Sequence, residues 1–164
     1  MNREQLLEFA AQVESFEDEE QWRVVTTLIE CAHKDWAITD EERKTYLRTL
    51  SGAQSSGLST VPLAITLELG RLRVPNLWER GMLITGPSDL FPTDFSAHWS
   101  IKLNGVRLGW AKTLTLALAA VVCRLVATER DRVLAAEFLK QRNQTAADVA
   151  ALERQIGRRG SGQR

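Results

Sequence analysis

The side chains in this sequence best suited to ligand chemistry are basic residues in a region that reads as β-strands. Arginine guanidinium groups bind phosphate oxygens through paired hydrogen bonds, and lysine adds a compact positive charge. Arg80, Lys102 and Arg107 fall on three successive candidate strands and would form a basic row across one sheet. This row predicts a site for a small anionic, nucleotide-like ligand. The candidate ligand-binding residues are Arg80, Lys102, Arg107, His98, Arg71 and Arg73.

Tryptophans lie between these basic residues along the chain, and indole rings can stack on nucleobases. Strand alternation separates the two groups, however. Trp99 and Trp110 occupy the apolar phase of their strands, and Lys102 and Arg107 occupy the polar phase. The alternation therefore predicts that the tryptophans belong to the core. On this interpretation the basic residues are either a binding face or an ordinary solvated face.

The sequence offers little that would support catalysis. His98 is close in sequence to Asp94 and could form an acid–base pair with it, although a histidine on the polar side of a strand is more often simply solvated. There is no glycine-rich phosphate loop, no Gly-x-Ser-x-Gly turn and no histidine pair at metal-ligand spacing. Cys31 and Cys123 lie in apolar helical patterns that are typical of buried free thiols. We predict no catalytic residue, no metal and no cofactor.

Hydrophobic periodicity predicts the α+β class, with a small three-stranded antiparallel sheet sandwiched between helices (α-β-α) and additional C-terminal helices. Asn104-Gly105 is a strong signal for a two-residue hairpin. Strands are predicted at 78–85, 96–103 and 106–110. Helices are predicted at 3–15, from about 22 to 32, at 39–50, at 59–70, from 112 to 143 and at 145–156, with a loop at 51–57.

The predicted domain organisation is a sandwich domain at 1–143, a C-terminal helix at 144–157 and a disordered tail at 158–164. The first residues carry charges where a signal peptide needs an apolar stretch. The longest apolar run, 114–123, is too short for a membrane span of roughly 20 residues. The sequence therefore predicts a cytoplasmic protein that does not enter a membrane.

Charge is distributed unevenly along a chain whose net charge is zero. Residues 1–42 contain twelve acidic and three basic residues, a net charge of −9, so the remainder carries +9. The acidic residues alternate with apolar ones and look like the solvated faces of helices, or else like a surface for a protein partner. Because a nucleic-acid-binding protein usually has a net positive charge, the zero total argues against a nucleic-acid partner.

Three stretches resemble proteins of the phage ABA-sandwich domain family. AITLELG at 64–70, followed by LRVPNLW at 72–78, is similar to a family segment in which a short helix ends in Val-Pro before a tryptophan enters the first strand. TLTLALAA at 113–120 resembles the closing helix of the family, and NREQLLEFAA at 2–11 resembles its first helix. The resemblance lies within residues 1–127. It implies a helix–sheet–helix sandwich and a phage origin, but no activity.

A phage origin suggests a non-catalytic binding protein that counters host antiviral defence. In one hypothesis, it sequesters a nucleotide-derived immune signal at the basic row. In an alternative, it docks directly on a host defence protein through its acidic amino-terminal segment. A nucleotide-acting enzyme is a more distant alternative.

We also predict a homo-oligomer, because the segment from 133 to 156 carries apolar residues that a domain this small would leave partly uncovered, and contiguous apolar surface usually marks an interface. Light scattering of the full-length protein at micromolar concentration should give a multiple of the monomer mass. A monomer mass would mean that this segment folds back on its own core. The apolar residues concerned are Val133, Leu134, Phe138, Val149, Leu152 and Ile156.

Overall fold

A computed structural model describes residues 1–35, 38–73, 82–87 and 98–129 of the chain. The chain divides into two compact units, Met1–Ala127 and Thr128–Arg164, and nearly all of the described residues belong to the first. The boundaries predicted at 143 and 157, the apolar segment 133–156 and the predicted tail lie outside the described residues.

In the described ranges, five helices and one short 3-10 helix, Asp18–Glu20, surround the core of the first unit. The helix α1 begins with a capping box in which Asn2 and Gln5 exchange side-chain and backbone hydrogen bonds. Helix α3 (Asp40–Ser55) begins with a capping box of the same kind. Its Thr39 and Glu42 exchange the same bonds, and these lower the pKa of Glu42. The helices are α1 (Arg3–Val13), α2 (Gln21–Asp35), α3 (Asp40–Ser55), α4 (Thr60–Arg73) and α5 (114–129).

The predicted loop at 51–57 is wrong over most of its length, because α3 continues to Ser55. Ala53, in this last turn, is buried. The chain leaves the helix at Gly57, whose φ of 68° is the left-handed conformation that glycine adopts without strain. The amide of Gly57 donates to the carbonyl of Gln54, and the amide of Leu58 donates to that of Ala53, which together form a Schellman motif. Helix α4 likewise continues past the predicted end at Gly70.

The sheet contains strands β1 (Met82–Thr85), β2 (Trp99–Leu103) and β3 (Val106–Ala111) in the order β1-β2-β3, with both pairs antiparallel. The predicted α+β class and the α-β-α order of elements along the chain are therefore confirmed. Asn104 and Gly105 have φ values of 50° and 79°, as a type I′ hairpin turn requires. Residues 78–81 and 96–97 of the predicted strands lie outside the described residues.

One hydrophobic core contains residues of all five helices and reaches the sheet at Ile101 and Ala111. Every residue from Leu116 to Cys123 is buried, as the apolar pattern around the whole of α5 predicts. Among the described residues, no helix combines the length and apolar character needed to cross a membrane.

Helix α5 packs against β3 at Gly109. A Cβ atom at this position would overlap the carbonyl oxygen of Ala117 and lie 2.8 Å from Cγ2 of Val121. Gly109 is the register partner of Ile101, which is fully buried. We call this side of the sheet, with Ile101, Gly109 and Ala111, the covered face.

An ion pair joins α1, α5 and the edge strand β3. Arg124 donates from Nη1 and Nη2 to the two carboxylate oxygens of Glu14, at 2.6 and 2.9 Å, and also donates to the carbonyl oxygen of Leu108. Glu14 accepts a further bond of 3.1 Å from the backbone amide of Trp110. The hydrogen bond to Glu14 raises the pKa of Arg124. The pair therefore holds the backbone of the two residues that flank Gly109, Leu108 and Trp110.

We predict that Gly109→Ala destabilises the protein by about 1–3 kcal/mol, the usual range for overpacking a core, because the added methyl group forces α5 away from β3. Gly52→Ala is the matched control. Gly52 lies within α3, and a methyl group added there would meet no atom within 4 Å, so the same change should stabilise by about 0.5–1 kcal/mol. Urea unfolding measures both, and equal effects would contradict the close approach.

Candidate anion-binding site

A β-bulge in β3 determines which side chains share the second face of the sheet. Ile101 pairs with Gly109, but the next residue, Lys102, pairs with Arg107, so Leu108 is the extra residue. Residues three apart on a regular strand face opposite sides. The bulge instead places Arg107 and Trp110 on the same face as Lys102, opposite Ile101.

We call this second side the open face. It carries two of the predicted ligand-binding residues, Lys102 and Arg107, as direct cross-strand partners, and both are exposed. Within the described part of the chain, neither side chain forms an ion pair. Like charges directly opposite each other on a sheet repel and destabilise it. Two adjacent cations of this kind would be favourably neutralised by an anionic ligand.

His98 and Trp110 form an aromatic pair on the open face. Their rings are stacked, with centroids 3.9 Å apart and planes inclined by 11°, and both side chains are half-buried. Trp110 is not part of the hydrophobic core that the described residues form, because the bulge turns it to the side opposite Ile101. Trp99 does pack against the core, as its strand phase predicts.

The remaining predicted ligand residues do not join this cluster in the described structure. Arg71 is exposed on α4 and pairs with Glu68 at 3.7 Å. Arg80 and the side chain of Arg73 lie outside the described residues. The structure thus brings together Lys102, Arg107 and His98. Strand alternation in the sequence does not predict that Trp110 lies on the same face as Lys102 and Arg107. A sequence signal for the bulge would have been needed to predict it.

The described residues contain little that would support catalysis by a thiol or a metal. Cys31 and Cys123 are free and buried, and burial raises the pKa of the Cys123 thiol to about 12, so it stays protonated at neutral pH. Among the described side chains there is no group of three or more His, Cys, Asp or Glu residues that could hold a metal ion.

A shallow pocket of about 270 Å³ lies beside α1, away from the predicted ligand residues. Glu8 supplies its only ionisable side chain, and no cationic side chain lines it that could bind an anion. The open face is therefore the stronger candidate. The pocket is lined by Met1, Gln5, Glu8, Phe9 and Gln12.

We predict that Arg107→Glu and Lys102→Glu each raise the free energy of unfolding by about 0.2–1 kcal/mol, because each replaces a like-charge cross-strand pair with an opposite-charge pair. The double reversal restores repulsion and should return stability close to that of the wild type. Urea unfolding at low ionic strength measures the cycle, since salt screens exposed charges. Additive single effects in the double variant would mean that the two side chains do not interact.

Comparison of the chain with protein families, curated proteins and solved structures found no match. The resemblance to the phage ABA-sandwich family therefore stays a prediction from three stretches of sequence.

Proposed function

We propose that this protein is a non-catalytic binding protein that sequesters a small, nucleotide-derived anion on the open face of its sheet. In the phage setting that the sequence resemblance implies, the ligand is an immune signal of the host, and the protein acts in the host cytoplasm. The observation that carries the proposal is the exposed cross-strand pair of Lys102 and Arg107 without an acidic partner among the described residues.

The chemistry of the pair suits a phosphate. The Arg107 guanidinium can donate two parallel hydrogen bonds to phosphate oxygens, and the Lys102 ammonium can donate to a third oxygen or neutralise its charge. The two residues project from adjacent strands joined by a tight type I′ turn, so their backbone positions are fixed before a ligand arrives. Such preorganisation lowers the entropic cost of binding.

The main alternative is that the protein docks on a host protein through its acidic amino-terminal segment. The exposed acidic side chains Glu4, Glu8, Asp18, Glu19 and Glu41 support it. Half of the acidic residues at 1–42, however, bind within the chain, in ion pairs or helix caps, and contribute less to an external surface. These are Glu14, Glu17, Glu20, Glu30, Asp40 and Glu42.

The proposal predicts that Lys102→Ala and Arg107→Ala each lower ligand affinity about tenfold to a hundredfold. Each removes a charge-assisted hydrogen bond worth roughly 1.5–3 kcal/mol. Stability should change little, because exposed charges contribute little to folding. Calorimetric titration with cyclic dinucleotides, cyclic trinucleotides and cyclic ADP-ribose isomers measures the affinity.

Lys44→Ala and Arg48→Ala are the matched controls, since both residues are exposed cations on α3 and should leave affinity unchanged. If none of the ligands binds the wild-type protein, sequestration is wrong and docking on a host protein becomes the leading hypothesis. If a bound nucleotide is recovered in shortened or linearised form, the protein is an enzyme, and His98 is the first residue to substitute.

A further inference from the structure

We infer that the open face contains a second subsite, in which the His98–Trp110 pair contacts the planar base of the ligand whose phosphate lies at Lys102 and Arg107. This inference rests on the proposed anion site, and it adds the chemical class of the ligand that binds there. The ligand is a nucleoside phosphate, recognised through both its base and its phosphate, rather than any small anion.

The register places the two subsites side by side. His98, Ser100 and Lys102 occupy alternate positions leading into and along β2, and Trp110 and Arg107 are the partners of Ser100 and Lys102 on β3. Residues two apart on a strand are separated by about 7 Å. The aromatic pair and the cationic pair therefore lie about one such step apart, a gap that the sugar of a single nucleotide bridges.

The aromatic pair stands apart from the hydrophobic core that the described residues form. Trp110 lies outside the hydrophobic core that the described residues form, whereas Trp99, on the covered face, packs against it. Indole and imidazole rings attract nucleobases through stacking and edge contacts, and such contacts are tolerant of base identity. Both His98 and Trp110 are partly exposed.

The same chemistry is offered by a free nucleotide and by one unit of a single-stranded nucleic acid. The experiment therefore includes both sources. Wild-type protein is titrated calorimetrically with pyrophosphate, adenosine, ADP, a cyclic dinucleotide and a short single-stranded oligonucleotide. Tighter binding of nucleotides than of pyrophosphate or adenosine is the expected result.

The variant that tests the base contact is Trp110→Leu. It should weaken nucleotide binding about tenfold, as the loss of one base–aromatic contact does, and leave pyrophosphate binding unchanged. His98→Ala removes the other ring of the pair without changing a residue of β3. It should also weaken nucleotide binding and leave pyrophosphate binding unchanged. Trp99→Leu is the matched control, because it changes an indole on the covered face and should not alter nucleotide affinity relative to that of pyrophosphate.

The outcomes separate this inference from the proposed function. If pyrophosphate and nucleotides bind the wild type equally well, or if His98→Ala and a folded Trp110→Leu weaken both equally, the base subsite is wrong and the anion site stands. If no nucleotide or pyrophosphate binds, both proposals fail. Preference for the oligonucleotide over all free nucleotides would keep the base subsite and overturn sequestration of a small signal.

Discussion

The ion pair between Arg124 and Glu14 is the interaction on which the edge of this sheet depends. Both side chains are about three-quarters buried, with exposures of 25% and 23%, so the polar groups around them need partners within the protein. Arg124 donates a hydrogen bond to the carbonyl oxygen of Leu108, the bulge residue, and Glu14 accepts one from the backbone amide of Trp110. Without this pair, the outer edge of β3 would present unpaired polar groups between α1 and α5.

The bulge and the approach of α5 act together. Gly109 allows the α5 backbone to come close to β3 because it has no side chain, and Ala117 and Val121 of α5 lie directly beside it. The hairpin pairs Arg107 with Lys102, and the bulge at Leu108 then places Gly109 on the helix side and Trp110 on the opposite side. Trp110 therefore joins Lys102 and Arg107 on the open face as a consequence of the same bulge that brings Gly109 against α5.

Acidic residues near the amino terminus have more structural than external roles. Glu30 forms a bidentate pair with Arg43 that joins α2 to α3, and the hydrogen bond from Arg43 lowers the pKa of Glu30. Glu17 pairs with Lys112 just before the start of α5. In the described structure, three of the twelve acidic residues at 1–42 thus pair with basic residues that follow, namely Glu14, Glu17 and Glu30. Lys102 and Arg107 are exposed cations without an acidic partner among the described residues.

By itself, the sequence determined the features that depend on neighbouring residues. Asn104-Gly105 specifies the hairpin, Thr39 and Glu42 specify the start of α3, and the apolar pattern of α5 specifies its burial, because each rests on contacts within a few residues or on periodicity. The cross-strand pairing of Lys102 with Arg107 follows partly from the hairpin. Tertiary structure alone decided that Trp110 shares their face. The bulge that turns it is stabilised by Glu14 and Arg124, residues 96 and 14 positions away from Trp110, and no local pattern encodes contacts at that separation.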